Sequence, residues 1–154
     1  MPVSPIPAGY HALTPYIIVE GAARALQWYA DVFAAKEELR LEAPNGRVGH
    51  AEIKLGDSKV MLADANPDSG AEAPAKFGGS PVSLHLYVPD VDAVVAKAAA
   101  TGATVKSQPE NKFYGDRLGT IVDPFGHTWH VSTHVEDVTA AEIERRMKAM
   151  VGKG

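Results

Sequence analysis

The sequence predicts an α+β fold made of two βαβββ modules followed by one C-terminal helix. Two observations carry this. Apolar residues switch to helical spacing after residue 21 and again after residue 90, with strand-like segments on either side of each switch. A shift of about 68 or 69 residues then lays one half of the chain on the other, placing Val19 on Val88 and Ile53 on Ile121.

The first module spans residues 10–64. Tyr10 to Val19 alternates weakly and predicts a strand. Ala22, Ala25, Leu26, Tyr29, Val32 and Phe33 share one face of a helix over residues 22–34, and Trp28, Tyr29 and Phe33 are assigned to its core side. Three strands are expected after it, at Glu37 to Leu41, Val48 to Leu55 and Lys59 to Ala63. The turns between them carry Pro44-Asn45-Gly46 and Gly56-Asp57-Ser58. Residues 65–81, rich in Gly, Ala, Pro and Ser, read as a linker able to move or to fold over a cleft.

The second module, residues 82–134, repeats the order. Val82 to Val88 is a strand, and Asp90 caps a helix whose apolar face is Val91, Val94, Val95 and Ala98. Thr101-Gly102 stops that helix. Strands follow at Thr104 to Ser107, Leu118 to Asp123 and Thr128 to Thr133, with a tight turn at Asp123-Pro124-Phe125-Gly126. Thr139 to Glu142 forms a capping box for a helix over residues 139–150. Its stripe of Ile143, Met147 and Met150 packs on its own domain or crosses to a second subunit.

Composition excludes several functions. The chain of 154 residues has no cysteine, so thiolate chemistry and disulfides are out, and any metal would need His, Asp or Glu. Net charge is -4, and Lys and Arg are scattered, which argues against nucleic acid. No apolar run has membrane-spanning length. Met1 to Gly9 holds three prolines and no secretory pattern, consistent with an extended arm on a cytoplasmic protein.

Several stretches resemble one family. Trp28-Tyr29 before Phe33-Ala34-Ala35, and Asp123-Pro124-Phe125-Gly126-His127, are similar to the vicinal oxygen chelate superfamily of glyoxalases, bleomycin-resistance proteins and extradiol dioxygenases. His50-Ala51-Glu52, Tyr114-Gly115-Asp116-Arg117 and Thr133-His134-Val135-Glu136-Asp137 resemble its PhnB-like branch. The resemblance implies a curved, half-open mixed sheet with helices outside, a cleft for a small organic molecule, and a homodimer. In the enzymes of the family a divalent metal sits between the cups, held from the first and last strands of each half, and acts as a Lewis acid. Those positions fall here on Thr14, Ser83, His130 and one of Val60, Met61 or Leu62, so only His130 is a good donor.

Strand alternation suggests other inward residues. Ser83, His85 and Tyr87 share one phase, His130 and Ser132 another, and His50 and Glu52 a third. Two readings rest on residues, beside a third, a purely regulatory or scaffold domain, for which no sequence feature speaks. One is an enzyme in which Glu52, His85 and His130 supply acid-base groups, or in which His130 and His85, completed by Glu52 or His50, hold one divalent metal ion. The other is a metal-free binding protein that sequesters an aromatic drug or metabolite. Its pocket would use His50, stacking walls of Tyr16, Tyr87, Phe113 and Tyr114, and Arg117 as an anion clamp. Glu52 can instead pair with Lys54, and Arg117 with Asp116. His11, His127 and His134 are expected in turns or on the surface.

Overall fold

The computed structural model describes residues 2–152. It divides into two units. The first runs through Pro81 and takes in Phe125–His127, and the second comprises Val82–Pro124 and the chain from Thr128. No described helix is long and apolar enough to cross a membrane.

The first unit contains β1 (Tyr16–Val19), α1 (Ala22–Phe33), β2 (Lys36–Glu42), β3 (Val48–Leu55) and β4 (Ser58–Asp64). Its sheet has the order β1-β4-β3-β2, with β1 parallel to β4 and the other pairs antiparallel. Period-two patterning sends Ala51, Ile53 and Leu55 to the helix side, where α1 buries all six expected face residues and Trp28. Trp28, Tyr29, Phe33 and Phe125 form an aromatic cluster with ring centroids 5.4 to 6.4 Å apart. Burying each such ring contributes roughly 2–3 kcal/mol.

The first strand is shorter than its sequence pattern. Pro15 has no N–H to donate, and its carbonyl accepts from Met61 N, so the ladder starts one residue later at Tyr16. Residues 65–81 are partly structured: Asn66 bridges Ala71, and 3-10 turns form at Pro67–Ser69 and Pro74–Phe77. The α1 helix ends on Ala34, a non-glycine at φ 57°. Glycine there is expected to stabilise the fold by about 1 kcal/mol, because it removes the Cβ clash of the left-handed region. A shift of the urea midpoint with unchanged slope would register it.

The second unit repeats the plan with β5 (Ser83–Tyr87), α2 (Val91–Ala100), β6 (Thr104–Asn111), β7 (Asp116–Val122) and β8 (Thr128–His134), in the order β5-β8-β7-β6. Val91, Val95 and Ala98 are buried beneath α2, and Val94 is at its margin. The sixth strand runs four residues beyond its expected end, across Pro109. It can do so because it is an edge strand whose register shifts between Ser107 and Glu110.

The final helix, α3 (Ala140–Val151), starts at Thr139 as the capping box predicts, with Glu142 N donating to Thr139 Oγ1. Of its apolar stripe Ile143 is half-buried, and the other two residues stay exposed. None of its residues is buried, and Met147 and Met150 are 47% and 58% exposed. Arg146 anchors it through Glu136 and the Phe113 carbonyl, and pairs with Glu142 within the helix.

Candidate functional sites on the two sheets

On the first sheet, the face away from α1 carries a row of Tyr16, Met61, Glu52 and Leu39, matched residue to residue across four strands. His50 lies two residues from Glu52 on the same face, as alternation requires. Tyr16 Oη is 2.8 Å from His50 Nδ1, and His50 Nε2 is 2.7 Å from Glu52 Oε2. With Glu52 ionised, Nε2 carries the imidazole proton and Nδ1 accepts from the phenol. Glu52 therefore pairs with His50, not with Lys54. Burial pushes the Tyr16 phenol above its ordinary range.

Beside this chain a cavity of about 680 Å³ opens. Tyr16, Ile18, Ala63 and Val48 give it an apolar wall, and Asn45, Arg47, Asn66 and Ser69 add polar groups. Arg47 is partly committed: Nη2 donates to the Ala65 carbonyl and lies 3.5 Å from Glu20. On the cavity lining, Asp64 is 8% exposed and accepts from three backbone N–H groups. Gly21 and Ala22 bond to Oδ1, and Val48 bonds to Oδ2. Burial works to raise its pKa, but these bonds and Arg47 outweigh it and hold the carboxyl below its ordinary value.

On the second sheet, the face away from α2 carries His85, His130 and Thr120 in one row and Tyr87, Ser132 and Leu118 in the next. The two imidazoles are 6.1 Å apart, and Thr120 Oγ1 lies 2.9 Å from His130 Nδ1. Burial, with His130 beside it, pushes His85 below its ordinary range against the pull of Asp116, so it is neutral near pH 7. The Tyr87 ring lies tilted against His85 at 4.9 Å, and its hydroxyl donates to Asp116 Oδ2.

Arg117 lies on the opposite, helix-facing side. It grips Asp92 of α2 through Nε and Nη2 at 2.7 and 2.8 Å, and it reaches Asn111 with Nη1. It is thus tied neither to Asp116 nor to a ligand on the His130 face. Phe113 and Tyr114 meet edge to face at 5.2 Å in the loop before β7.

His134, expected in a turn or on the surface, is a half-exposed residue that also bridges two carboxylates: Nδ1 to Asp116 Oδ1 and Nε2 to Asp137 Oδ1, both 2.8 Å. Hydrogen bonds to Asp116 and Asp137 raise its pKa above 6.5. Burial works to raise the Asp116 carboxyl, but bonds from His134 and Tyr87 prevail and hold it below 3.8. The signs give opposite edges to one window. The His134 contribution is complete below 6.5 and is lost as pH rises through its raised folded value. The Asp116 contribution is present above 3.8 and is lost as pH falls through its depressed value. The exchange protection of the Val135 and Glu136 amides, corrected for intrinsic exchange, is expected to be highest between these edges and to fall as pH rises through the raised His134 value, and His134→Gln removes that alkaline fall.

The metal donors implied by the resemblance do not fit. The facing pair on the first and last strands of the first module is Tyr16 and Met61, a phenol and a thioether, and Thr14 precedes β1. In the second sheet Ser83 faces Thr128, and His85 is the residue beside His130. Among the described residues no group of three or more His, Asp or Glu is placed to hold a metal ion.

The sequence profile of the Glyoxalase/Bleomycin resistance protein/Dioxygenase superfamily matches residues 10–131. The chain belongs to this superfamily. It is 38% identical over 141 residues to the uncharacterized protein Mb0911c of Mycobacterium bovis, covering 90% of this chain and 93% of that one. Solved structures of this superfamily's fold superpose on it. TioX from Micromonospora sp. ML1 does so with a TM-score of 0.63 at 23% identity, over 84% of this chain and all of that one. The PhnB protein from Bacillus cereus gives 0.63 at 18% identity, over 80% and 99%.

Proposed function

We propose that this superfamily member binds a small organic molecule in the cavity of its first unit, without the divalent metal of the superfamily's enzymes. The cavity carries the reading. At about 680 Å³ it falls in the size range of small-molecule pockets, and its wall is largely apolar with a few polar groups to orient a ligand. The ligand class is an aromatic drug or metabolite whose ring lies against Tyr16, Ile18 and Ala63. The mismatched donor positions favour this reading, as does the resemblance to metal-free bleomycin-resistance proteins.

A thermal-shift screen of aromatic drugs and metabolites tests it, followed by calorimetry on Ala63→Phe and Tyr16→Ala. Hits are expected to bind A63F at least about tenfold more weakly, since the ring fills the wall, and Y16A about tenfold more weakly through the lost aromatic contact. Equal affinity for wild type and A63F would put the ligand elsewhere.

A second reading, an enzyme of lyase or isomerase type, is favoured by one observation: the hydrogen-bonded chain of Tyr16, His50 and Glu52 at the cavity edge. We also assign a homodimer in the cytoplasm. The uncovered Met147, Met150 and Val151 of α3 support a symmetric pair. Light scattering that reports only monomer would remove that assignment.

A further inference from the structure

We propose that Tyr16, His50 and Glu52 form a proton relay that makes the Tyr16 oxygen a base toward a neutral, mostly apolar ligand bearing a weakly acidic hydroxyl. This rests on the cavity reading above, because Tyr16 stands on the cavity wall. The geometry is a hydroxyl on an imidazole on a carboxylate, with both links short: 2.8 and 2.7 Å. All three groups come from β1 and β3 of one sheet, so the scaffold fixes them before any ligand arrives.

The step moves only protons. The ligand O–H bond breaks and its proton bonds to Tyr16 Oη. The Tyr16 O–H bond breaks at the same time, and that proton bonds to His50 Nδ1. The ligand keeps the electron pair as an oxyanion, and the new imidazolium faces the Glu52 carboxylate. Reversal returns every proton.

The surroundings set the ligand class. Ile18 and Ala63 line the wall beside Tyr16, and Leu39 and Leu41 stand opposite Glu52 and His50 on β2. A ligand that arrives as a carboxylate would meet the Glu20 and Asp64 carboxylates of the lining, where Arg47 is already engaged by both and by the Ala65 carbonyl, whereas a neutral phenol or enol carries no charge to oppose them. Because burial keeps Tyr16 protonated at rest, its basicity is called up only when His50 takes the proton.

Phenylmethanesulfonyl fluoride is a neutral, apolar probe of this state. Tyr16 Oη attacks sulfur, the S–F bond breaks, fluoride leaves, and the phenol proton passes to His50. Tyr87 is the internal control: it is more exposed, 59% against 48%, but its hydroxyl donates to the Asp116 carboxylate rather than to an imidazole. Peptide mass mapping is expected to find Tyr16 modified about tenfold faster than Tyr87 or better. His50→Gln should bring Tyr16 down to the Tyr87 rate, and Glu52→Gln should bring it partway. Equal rates at the two tyrosines in the wild type, or unchanged Tyr16 labelling in H50Q, overturns the relay. The wild-type ratio decides the matter even if a variant folds poorly. A failed ligand screen with fast Tyr16 labelling would sink the binding reading alone. Bound ligands with slow Tyr16 labelling would sink the relay alone.

Discussion

Asp64→Asn is expected to destabilise the chain by about 3 kcal/mol, measured as a lowered denaturant midpoint. The substitution keeps the shape and removes one acceptor oxygen. Both carboxylate oxygens are in use: Oδ1 takes Gly21 N and Ala22 N, and Oδ2 takes Val48 N. Whichever way the asparagine amide turns, its NH2 faces at least one backbone N–H. The site is 8% exposed, so water gives little relief. The helix start has no local substitute, because Gly21 at its N-cap offers no side-chain hydrogen bond. The carboxylate also ties stability to pH. Its folded pKa lies below 3.8, so its contribution is present above that value and is lost as acid titrates the folded carboxyl. D64N should flatten that part of the acid-unfolding curve.

Gly115→Ala is the second large effect, again about 3 kcal/mol or more. Gly115 sits at φ +100°, and a Cβ there would lie 2.1 Å from the Glu136 carbonyl oxygen, a backbone atom with little room to yield. The Gly115 carbonyl also accepts from Val135 N and Glu136 N, so the clash and these bonds concern the same strand of chain. Exchange protection of those two amides should be lost before global unfolding. Gly46→Ala separates the causes. Gly46 has a similar φ of +80° but nothing within 4 Å of the added methyl, so only the backbone penalty of about 1 kcal/mol remains.

The repeat made the fold legible, because both copies had to satisfy one strand-helix-strand order. The aromatic and aliphatic face of α1 was readable for the same reason: a single-sided stripe has only one way to be buried. Strand ends were less so. Pro15 shortened β1 through a missing donor, and an edge position let β6 run through Pro109. Phase alone put His50 with Glu52 and His85 with His130, each pair on one sheet face. Phase could not show partners. That Glu52 meets His50, that Arg117 turns to Asp92, and that His134 bridges Asp116 and Asp137 depend on side-chain reach across strands and onto a helix. Asp64 could have been found, since the repeat sets it on Thr133, and both are polar residues at the end of a last strand.

That correspondence reaches beyond stability. Ala22 N donates to Asp64 Oδ1 and Val91 N donates to Thr133 Oγ1, each across 42 positions of chain. In both modules the first turn of the helix is completed by a residue from the strand made last. A nascent chain that has emerged only through α1 lacks the group that holds its first turn, and loop closure over the whole module must come first. In the first module, where Gly21 supplies no cap of its own, helix formation thereby waits on sheet closure, whereas α2 also has the local Asp90 cap, and an excised α1 peptide should remain largely unstructured in water.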